Sequence, residues 1–345
     1  MAALRSSHVA GAVAALRVRR AATAPVRYPA RPDRARHPMS TPRSAPLPGY
    51  PTARHWFDRG DGIRMHYLDE GPRNGELLLM VHGNPSWSYA FRHLVAGLSD
   101  RYRCIVPDHV GMGLSDKPGD DRYAYTLQSR IDDLAALLEH LGVREQVTLV
   151  VHDWGGMIGF GWALRMPAAV RRLVIFNTAA FPLDATPRGV AKRIPWQLRL
   201  VRDTRLGALL VRGLNAFARG AAVFGVERRL PAAERRALLA PYGNWHDRIA
   251  TLRFVQDIPL RPADRAWAPV AEAGRRLHEF ADRPALVCWG LRDFVFDRDF
   301  LDGFRARLPA AQVHAFEDAG HYVIEDAHER ILPLLRNFLE RNPLD

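Results

Sequence analysis

The sequence predicts an α/β fold in which helices cover both faces of a mostly parallel sheet. Three observations support this prediction. Strand-like and helix-like stretches alternate from Trp56 onward, which is typical of parallel strands joined by helical crossovers. The alternation is interrupted once, between residues 182 and 269, where only helical periodicity is found. One strand-like run, residues 146–151, leads directly into a glycine-containing turn and a helix-like run.

Short apolar runs predict the strands, and amphipathic runs predict the helices between them. The helix predicted over residues 127–141 places Leu127, Ile131, Leu134 and Leu138 on one side at helical spacing. The runs that we interpret as strands cover residues 63–68, 77–81, 104–107, 147–151, 173–176, 285–289 and 312–316.

The turn His-Asp-Trp-Gly-Gly at residues 152–156 is the most informative motif. A strand that turns sharply into a helix matches the nucleophile elbow of the α/β-hydrolase fold, which has an eight-stranded sheet. Here the elbow residue is Asp153. A carboxylate at the positive end of a helix is already ionised and needs no base before it attacks. Its attack on a saturated carbon gives an alkyl ester, and a serine esterase is excluded.

A second loop, His-Gly-Asn-Pro at residues 82–85, directly follows a predicted strand. In the α/β-hydrolase fold this loop supplies one backbone donor of the oxyanion hole, and the residue after the nucleophile, here Trp154, supplies the other. The side chains of Asn84 and Trp154 also carry N–H donors. We therefore predict that they hold a leaving anion near Asp153.

The predicted base is His321, which follows the predicted strand at residues 312–316. Its predicted acid partner is Asp293, which follows the predicted strand at residues 285–289. The resulting chain order of nucleophile, acid and base, Asp153, Asp293 and His321, is the order of the α/β-hydrolase fold. The alternative acid position, after the predicted strand at residues 173–176, holds an amide, Asn177, which favours Asp293.

The interrupted region predicts a helical cap, residues 182–269, inserted into an α/β-hydrolase core of residues 47–181 and 270–345. Such a cap would cover the elbow and exclude water. Helical periodicity predicts helices at 196–201, 206–217, 232–240 and 245–255.

Residues 1–46 form an extension rich in Arg, Ala and Pro. We expect it to be disordered or not translated, with Met39 as a possible start and a targeting segment as a further alternative. Residues 1–38 carry eight Arg and one acid, so much of the formal net charge of +12 lies there. Since only two of the 49 basic residues are lysine, we attribute the charge to biased composition and expect no nucleic-acid partner.

The remaining composition points to a cytoplasmic enzyme without a prosthetic group. The two cysteines, Cys104 and Cys288, lie in strand-like runs and are predicted to be buried and reduced. No apolar run reaches the eighteen or so residues of a transmembrane helix. No Cys/His spacing suits zinc and no dinucleotide fingerprint is complete, so neither a metal nor a cofactor is predicted.

The elbow and its neighbouring loops resemble those of haloalkane dehalogenases. The resemblance runs from about Pro48 to the C-terminus and is strongest at residues 82–89, 108–118 and 152–156. It implies that Asp153 is the nucleophile, His321 the base, Asp293 its partner, and Trp154 and Asn84 the halide donors.

Within this group the chain is most similar to the β-lactone decarboxylases of bacterial long-chain olefin biosynthesis. The closer similarity lies at residues 177–182, 242–245, 253–260 and 340–344. It implies an apolar, long-chain β-lactone substrate, CO₂ and a cis-olefin as products, and possible assembly with other enzymes of the pathway. Asp153 could attack either the β-carbon or the lactone carbonyl.

Four other functions were weighed. A haloalkane dehalogenase is the main alternative. An epoxide hydrolase is disfavoured because the pattern of that family has two cap tyrosines that polarise the epoxide oxygen, whereas this insertion has one, Tyr242. A fluoroacetate dehalogenase is disfavoured because Trp154 stands where that family has Arg. A non-catalytic binding module is disfavoured by the intact set of nucleophile, acid and base.

Overall fold

The computed structural model of the protein describes residues 47–186 and 196–344, so the predicted N-terminal extension lies outside the described residues. The strands in the described part are β1 (His55–Asp58), β2 (Arg64–Glu70), β3 (Leu77–Val81), β4 (Arg103–Pro107), β5 (Val147–Asp153), β6 (Val170–Thr178), β7 (Ala285–Gly290) and β8 (Gln312–Phe316). The helices there are α1 (Arg92–Leu98), α2 (Leu127–His140), α3 (Trp154–Ala163), α4 (Trp196–Asp203), α5 (Arg205–Leu214), α6 (Ala216–Phe224), α7 (Ala232–Leu239), α8 (Ile249–Gln256), α9 (Trp267–Arg276), α10 (Arg298–Arg307) and α11 (Val323–Arg341).

The strands form one sheet in the order β1-β2-β4-β3-β5-β6-β7-β8. Strand β2 is antiparallel to both of its neighbours, and every other pair is parallel. The predicted eight-stranded, mostly parallel sheet is confirmed. Strand β1 was not predicted, because in this short edge strand only Phe57 is buried and the sequence therefore shows no apolar run.

The sheet is buried on both faces, as strand β3 shows. Its residues Leu77, Leu79 and Val81 belong to one apolar core, and Leu78 and Met80 belong to the other. Successive side chains of a strand point to opposite faces, so both faces must be covered by helices. Continuous apolar runs are the pattern expected of strands in this position, which explains why the sequence located them well.

All of the regular secondary-structure elements in the described residues between β6 and β7 are helices. The prediction of one helix over residues 206–217 was wrong, because α5 ends and α6 begins at Asn215, which adopts a left-handed conformation with φ of 55°. Asparagine tolerates this conformation better than most residues, and the Asn215 side chain donates a hydrogen bond to the Tyr242 carbonyl at 3.3 Å.

The predicted limits of the cap remain predictions, and the second of them, at 269/270, falls inside α9. No single helix in the described ranges is both long and apolar enough to cross a membrane. Helices α5 and α6 meet that criterion only together, by length and composition, and they are bent by 76° relative to each other.

Candidate active site

The elbow between β5 and α3 forms because two glycines allow close packing there. Asp153 has φ of 53°, an unusual value for a residue with a side chain and one that sharp strand-to-helix turns require. A Cβ atom at Gly155 would lie 1.9 Å from the Val81 carbonyl oxygen, and one at Gly156 would lie 2.1 Å from Thr178 Oγ1. The elbow therefore fixes Asp153 at the N-terminus of α3, directly beside the end of β3.

Backbone donors hold one oxygen of the Asp153 carboxylate. The N–H of Asn84 donates to Asp153 Oδ1 at 2.5 Å, and the N–H of Trp154 also donates to this carboxylate. A Cβ atom at Gly83 would lie 1.9 Å from Oδ1, so only glycine allows this approach. The two donors that the sequence placed in an oxyanion hole thus bind Asp153 itself.

The structure brings His321 and Asp293 to the other side of Asp153. His321 Nε2 lies 3.6 Å from Asp153 Oδ2, and His321 Nδ1 lies 2.8 Å from Asp293 Oδ2. The backbone N–H groups of Val295 and Phe296 donate to Asp293 Oδ1 at 2.7 and 3.1 Å. The three residues predicted as nucleophile, base and acid are therefore arranged in a continuous chain of contacts.

Burial and mutual charge set the protonation of this group. Burial raises the pKa of Asp153 to about 6, although His321 and the two backbone donors act in the opposite direction. Burial lowers the pKa of His321, but Asp293 and Asp153 outweigh this effect and raise it to about 9. At neutral pH the site therefore contains an ionised Asp153 beside an imidazolium.

The side chains of Trp154 and Asn84 both lie near the elbow, and helix α8 contacts each of them. The Trp154 ring packs edge-on against Phe254 of α8 at a centroid distance of 5.2 Å. The Asn84 Nδ2 group donates to the carbonyl of Thr251, also in α8, at 3.1 Å. One of the two amide hydrogens of Asn84 is thus engaged by α8.

Three supporting residues were not recognised from the sequence. Asn177 donates to Asp293 Oδ2 at 3.0 Å and so fixes the orientation of the acid. His152 Nε2 lies 2.9 Å from the carbonyl oxygen of His321, and since burial lowers the pKa of His152 to about 3, its neutral ring donates there. The Arg130 guanidinium lies 3.6 Å from the centroid of the Phe254 ring, behind Trp154.

Their roles depend on contacts between distant parts of the chain, for which the sequence carries little signal. The one sequence clue was the position of Asn177 directly after the strand predicted at residues 173–176, which indicated only that no acid lies there; in the structure Asn177 is part of β6.

One group of side chains outside this site has the spacing of metal ligands. Atoms of His93, Glu234 and Glu325 lie within 4.8 Å of one another. However, Arg92 donates to both oxygens of Glu325 at 2.5 and 2.8 Å and to Glu234 at 2.8 Å. The guanidinium already supplies the positive charge that these carboxylates need, so the group is an ion-pair network.

Comparison with known proteins relates the chain to one family and two kinds of enzyme. The family model described as the alpha/beta hydrolase fold matches residues 76–327. The cis-3-alkyl-4-alkyloxetan-2-one decarboxylase of Xanthomonas campestris pv. campestris is 60% identical over 302 residues, which cover 86% of this chain and 99% of that protein. The decarboxylase of the same name from Shewanella oneidensis is 52% identical, covering 84% and 89%.

Among solved structures, the haloalkane dehalogenase DbeA from Bradyrhizobium elkani is similar with a TM-score of 0.74 and 27% identity. The match covers 84% of this chain and 98% of that one. The predicted resemblance to haloalkane dehalogenases, and the closer one to β-lactone decarboxylases, are therefore both confirmed.

The charge coupling in this site predicts how His321 titrates. In the wild type its imidazole should titrate near pH 9, because two carboxylates favour the cation. Asp153→Asn removes one of these charges and should lower the pKa of His321, which ¹⁵N NMR of the labelled histidine rings would detect. Asp132→Asn, a surface change paired with Arg165, is the control. An unchanged His321 pKa in Asp153→Asn would contradict the coupling.

Proposed function

Because the chain belongs to the α/β-hydrolase fold family, we propose that it uses this fold to decarboxylate a cis-3,4-dialkyl β-lactone to a cis-olefin and CO₂. The observation that carries the proposal is the 60% identity, over nearly the full length of the relative, to a protein named for this substrate class. The site adds a buried, ionised carboxylate whose Oδ1 accepts from the Asn84 N–H and whose Oδ2 lies 3.6 Å from His321 Nε2. We further propose that the reaction belongs to long-chain hydrocarbon biosynthesis.

In the proposed first step, Asp153 Oδ2 attacks the β-carbon, which is ring carbon 4 of the lactone. The new bond joins Oδ2 to this carbon, the carbon–oxygen bond of the ring breaks, and its electrons form a carboxylate on carbon 3. Attack at the lactone carbonyl is disfavoured here, because the backbone N–H groups that would stabilise the resulting oxyanion already bind the Asp153 carboxylate.

In the proposed second step, the carboxylate on carbon 3 leaves as CO₂. The electrons of the broken carbon–carbon bond form the double bond between carbons 3 and 4, and the ester bond to Oδ2 breaks, which restores the Asp153 carboxylate. Inversion at carbon 4 in the first step places the ester opposite the carboxylate. Anti elimination from that arrangement leaves both alkyl groups on the same side, which accounts for a cis product.

In this scheme Trp154, Asn84 and His321 stabilise the negative charges that form during the reaction. Trp154 and the free amide hydrogen of Asn84 would stabilise the carboxylate that ring opening releases. The His321 imidazolium, held by Asp293 at 2.8 Å, would favour the ionised form of Asp153 before attack and again as it leaves. This scheme uses no water, metal or cofactor, and its substrate is a small apolar molecule. We expect a cytoplasmic protein and assembly with enzymes that make and supply the lactone.

A haloalkane dehalogenase is the second candidate, and one feature of the site favours it. If water attacked an ester formed at Asp153 Oδ2, negative charge would develop on Oδ1, to which the Asn84 N–H donates. The Trp154 N–H also donates to the Asp153 carboxylate. That arrangement would stabilise a hydrolytic intermediate. The two functions therefore share their first step and differ in how the ester is consumed.

Purified protein offered a long-chain cis-β-lactone and a 1-haloalkane in parallel should form olefin and CO₂ from the lactone, measured by gas chromatography. Asp153→Asn should abolish this turnover, because an amide lacks the nucleophilicity of a carboxylate. More than about a hundredth of the wild-type rate in Asp153→Asn, with deamidation controlled, would exclude the covalent scheme. Halide release faster than olefin formation would favour the dehalogenase.

The two proposed anion donors should each matter for rate. Loss of one preorganised donor costs about 3 kcal/mol of transition-state stabilisation, so Trp154→Phe and Asn84→Ala should each slow turnover roughly a hundredfold. Trp162→Phe, a buried change in the same helix, is the control for loss of an indole. Wild-type rates in both donor variants would show that these side chains only pack.

His321→Ala should separate the two candidate functions. A dehalogenase needs His321 to activate water, so this variant should accumulate an alkyl ester on Asp153 with a haloalkane, visible by intact-protein mass spectrometry. With a β-lactone, direct elimination needs no such water and should leave no stable adduct. The double variant with Asp153→Asn controls for labelling elsewhere. A persistent adduct from the lactone would count against the decarboxylase.

A further inference from the structure

The surface above the site exposes an unusual concentration of apolar side chains. Of the ten large hydrophobic side chains exposed in the described residues, seven lie between residues 196 and 245. We define the apolar cap surface by six of them: Leu206, Leu209 and Leu214 of α5, Val223 and Phe224 of α6, and Trp245.

Helix α5 is apolar on both of its faces. Its inner face packs so closely that a Cβ atom at Gly207 would lie 2.2 Å from the carbonyl oxygen of Leu200 in α4. On the outer face, Leu206 and Leu209 are each 56% exposed and Leu214 is 61% exposed. A surface helix normally turns polar residues outward, so the outer face of α5 indicates a contact with an apolar environment.

The neighbouring elements extend this face. A Cβ atom at Gly213 would meet Leu209 Cδ1 at 3.8 Å and the Trp245 ring at 3.9 Å, which shows that the leucine and the tryptophan flank one spot on the surface. In α6 the side chain of Phe224 is 73% exposed, and the space next to Gly220, one turn earlier, is open. Adjoining exposed apolar side chains such as Leu209 and Trp245 mark an interaction site.

The charged side chains of α5 and α6 are all positive. Residues 205–224 contain three arginines and no acid. Helical spacing places Arg205 and Arg212 along one edge of the exposed stripe of α5, and Arg219 along the edge of the stripe of α6. Arg205 and Arg219 are exposed and form no ion pair with an acid in the ranges that the structure describes.

We propose that the apolar cap surface docks on an anionic lipid bilayer, with α5 and α6 lying in the membrane interface. An apolar stripe with arginines at its edges suits this position, because the stripe enters the acyl region while each guanidinium reaches back to a phosphate. A tryptophan at the rim, Trp245, suits the same boundary. Negative lipid headgroups complement α5 and α6, which carry arginines and no acid.

Docking at this surface would bring the bilayer close to the site. Helix α5 packs against α8, and α8 carries the Thr251 carbonyl that accepts from Asn84. A bilayer on the outer side of α5 would thus lie one helix layer from the site, where a water-insoluble substrate or product could exchange with it. The docking itself does not depend on the proposed reaction, so it can be tested without an activity assay.

Flotation of the full chain with lipid vesicles tests the proposal. The wild type should bind vesicles of equal phosphatidylglycerol and phosphatidylcholine more tightly than vesicles of phosphatidylcholine alone. Leu206→Ser with Leu209→Ser should weaken binding by about tenfold or more. Arg205→Gln with Arg219→Gln should weaken binding to the anionic vesicles by roughly tenfold and leave the neutral ones unaffected. Residues 1–38 are unchanged in every variant, so their arginines contribute equally.

Matched changes elsewhere serve as controls. Trp56→Ser with Met166→Ser, at residues 38% and 39% exposed, and Arg144→Gln with Arg341→Gln, at exposed positions, should bind as the wild type does. Thermal unfolding would confirm that all variants fold. Absence of wild-type binding, or binding as tight as that of the wild type in either the leucine or the arginine variant, would overturn the proposal. So would a wild-type dimer in analytical ultracentrifugation that the leucine variant loses, since a second copy would then cover the surface.

Discussion

The structure depends on keeping a negative charge on Asp153 inside the protein. An unpaired buried carboxylate is costly, and a protein usually avoids the cost by leaving the group protonated. Here two backbone N–H groups, the N-terminus of α3 and the His321 imidazolium all favour the charged form. These partners come from three separate parts of the chain, so α3, the loop at residues 82–85 and the segment before α11 must assemble correctly for the carboxylate to be stable.

This requirement explains which parts of the site could be predicted. The elbow is local, since the strand, the aspartate and the two glycines follow one another, and the sequence revealed it directly. The acid and the base follow the ends of β7 and β8, which lie at the same edge of a parallel sheet, so topology alone placed them near Asp153. The cap contact was not predictable in this way, because Asn84 and Thr251 are 167 residues apart and join an amide to a backbone carbonyl.

The fold shows the same division between local and distant causes. Strands β3 and β8 were predicted at the observed bounds, and β3 was the clearer of the two because all five of its residues are buried. Edge strand β1 gave no signal because it buries a single side chain. The break at Asn215 interrupts a pattern that remains apolar on both sides, so helical periodicity alone joined α5 to α6. Predictions were reliable where burial shapes the local sequence and failed where a conformation depends on distant contacts.

The charge on His321 also bears on why an ester formed on Asp153 from a β-lactone would undergo elimination, whereas an ester formed from a haloalkane would be hydrolysed. Formation of an ester on Asp153 removes one of the two negative charges that raise the pKa of His321. Opening of a β-lactone creates a new carboxylate that stays tethered to the ester through carbon 3, so the negative charge in the site is replaced. We expect this carboxylate to keep the imidazole protonated, and an imidazolium cannot take a proton from water. Hydrolysis would then be slow, while the tethered carboxylate is already placed to leave as CO₂ and release the enzyme.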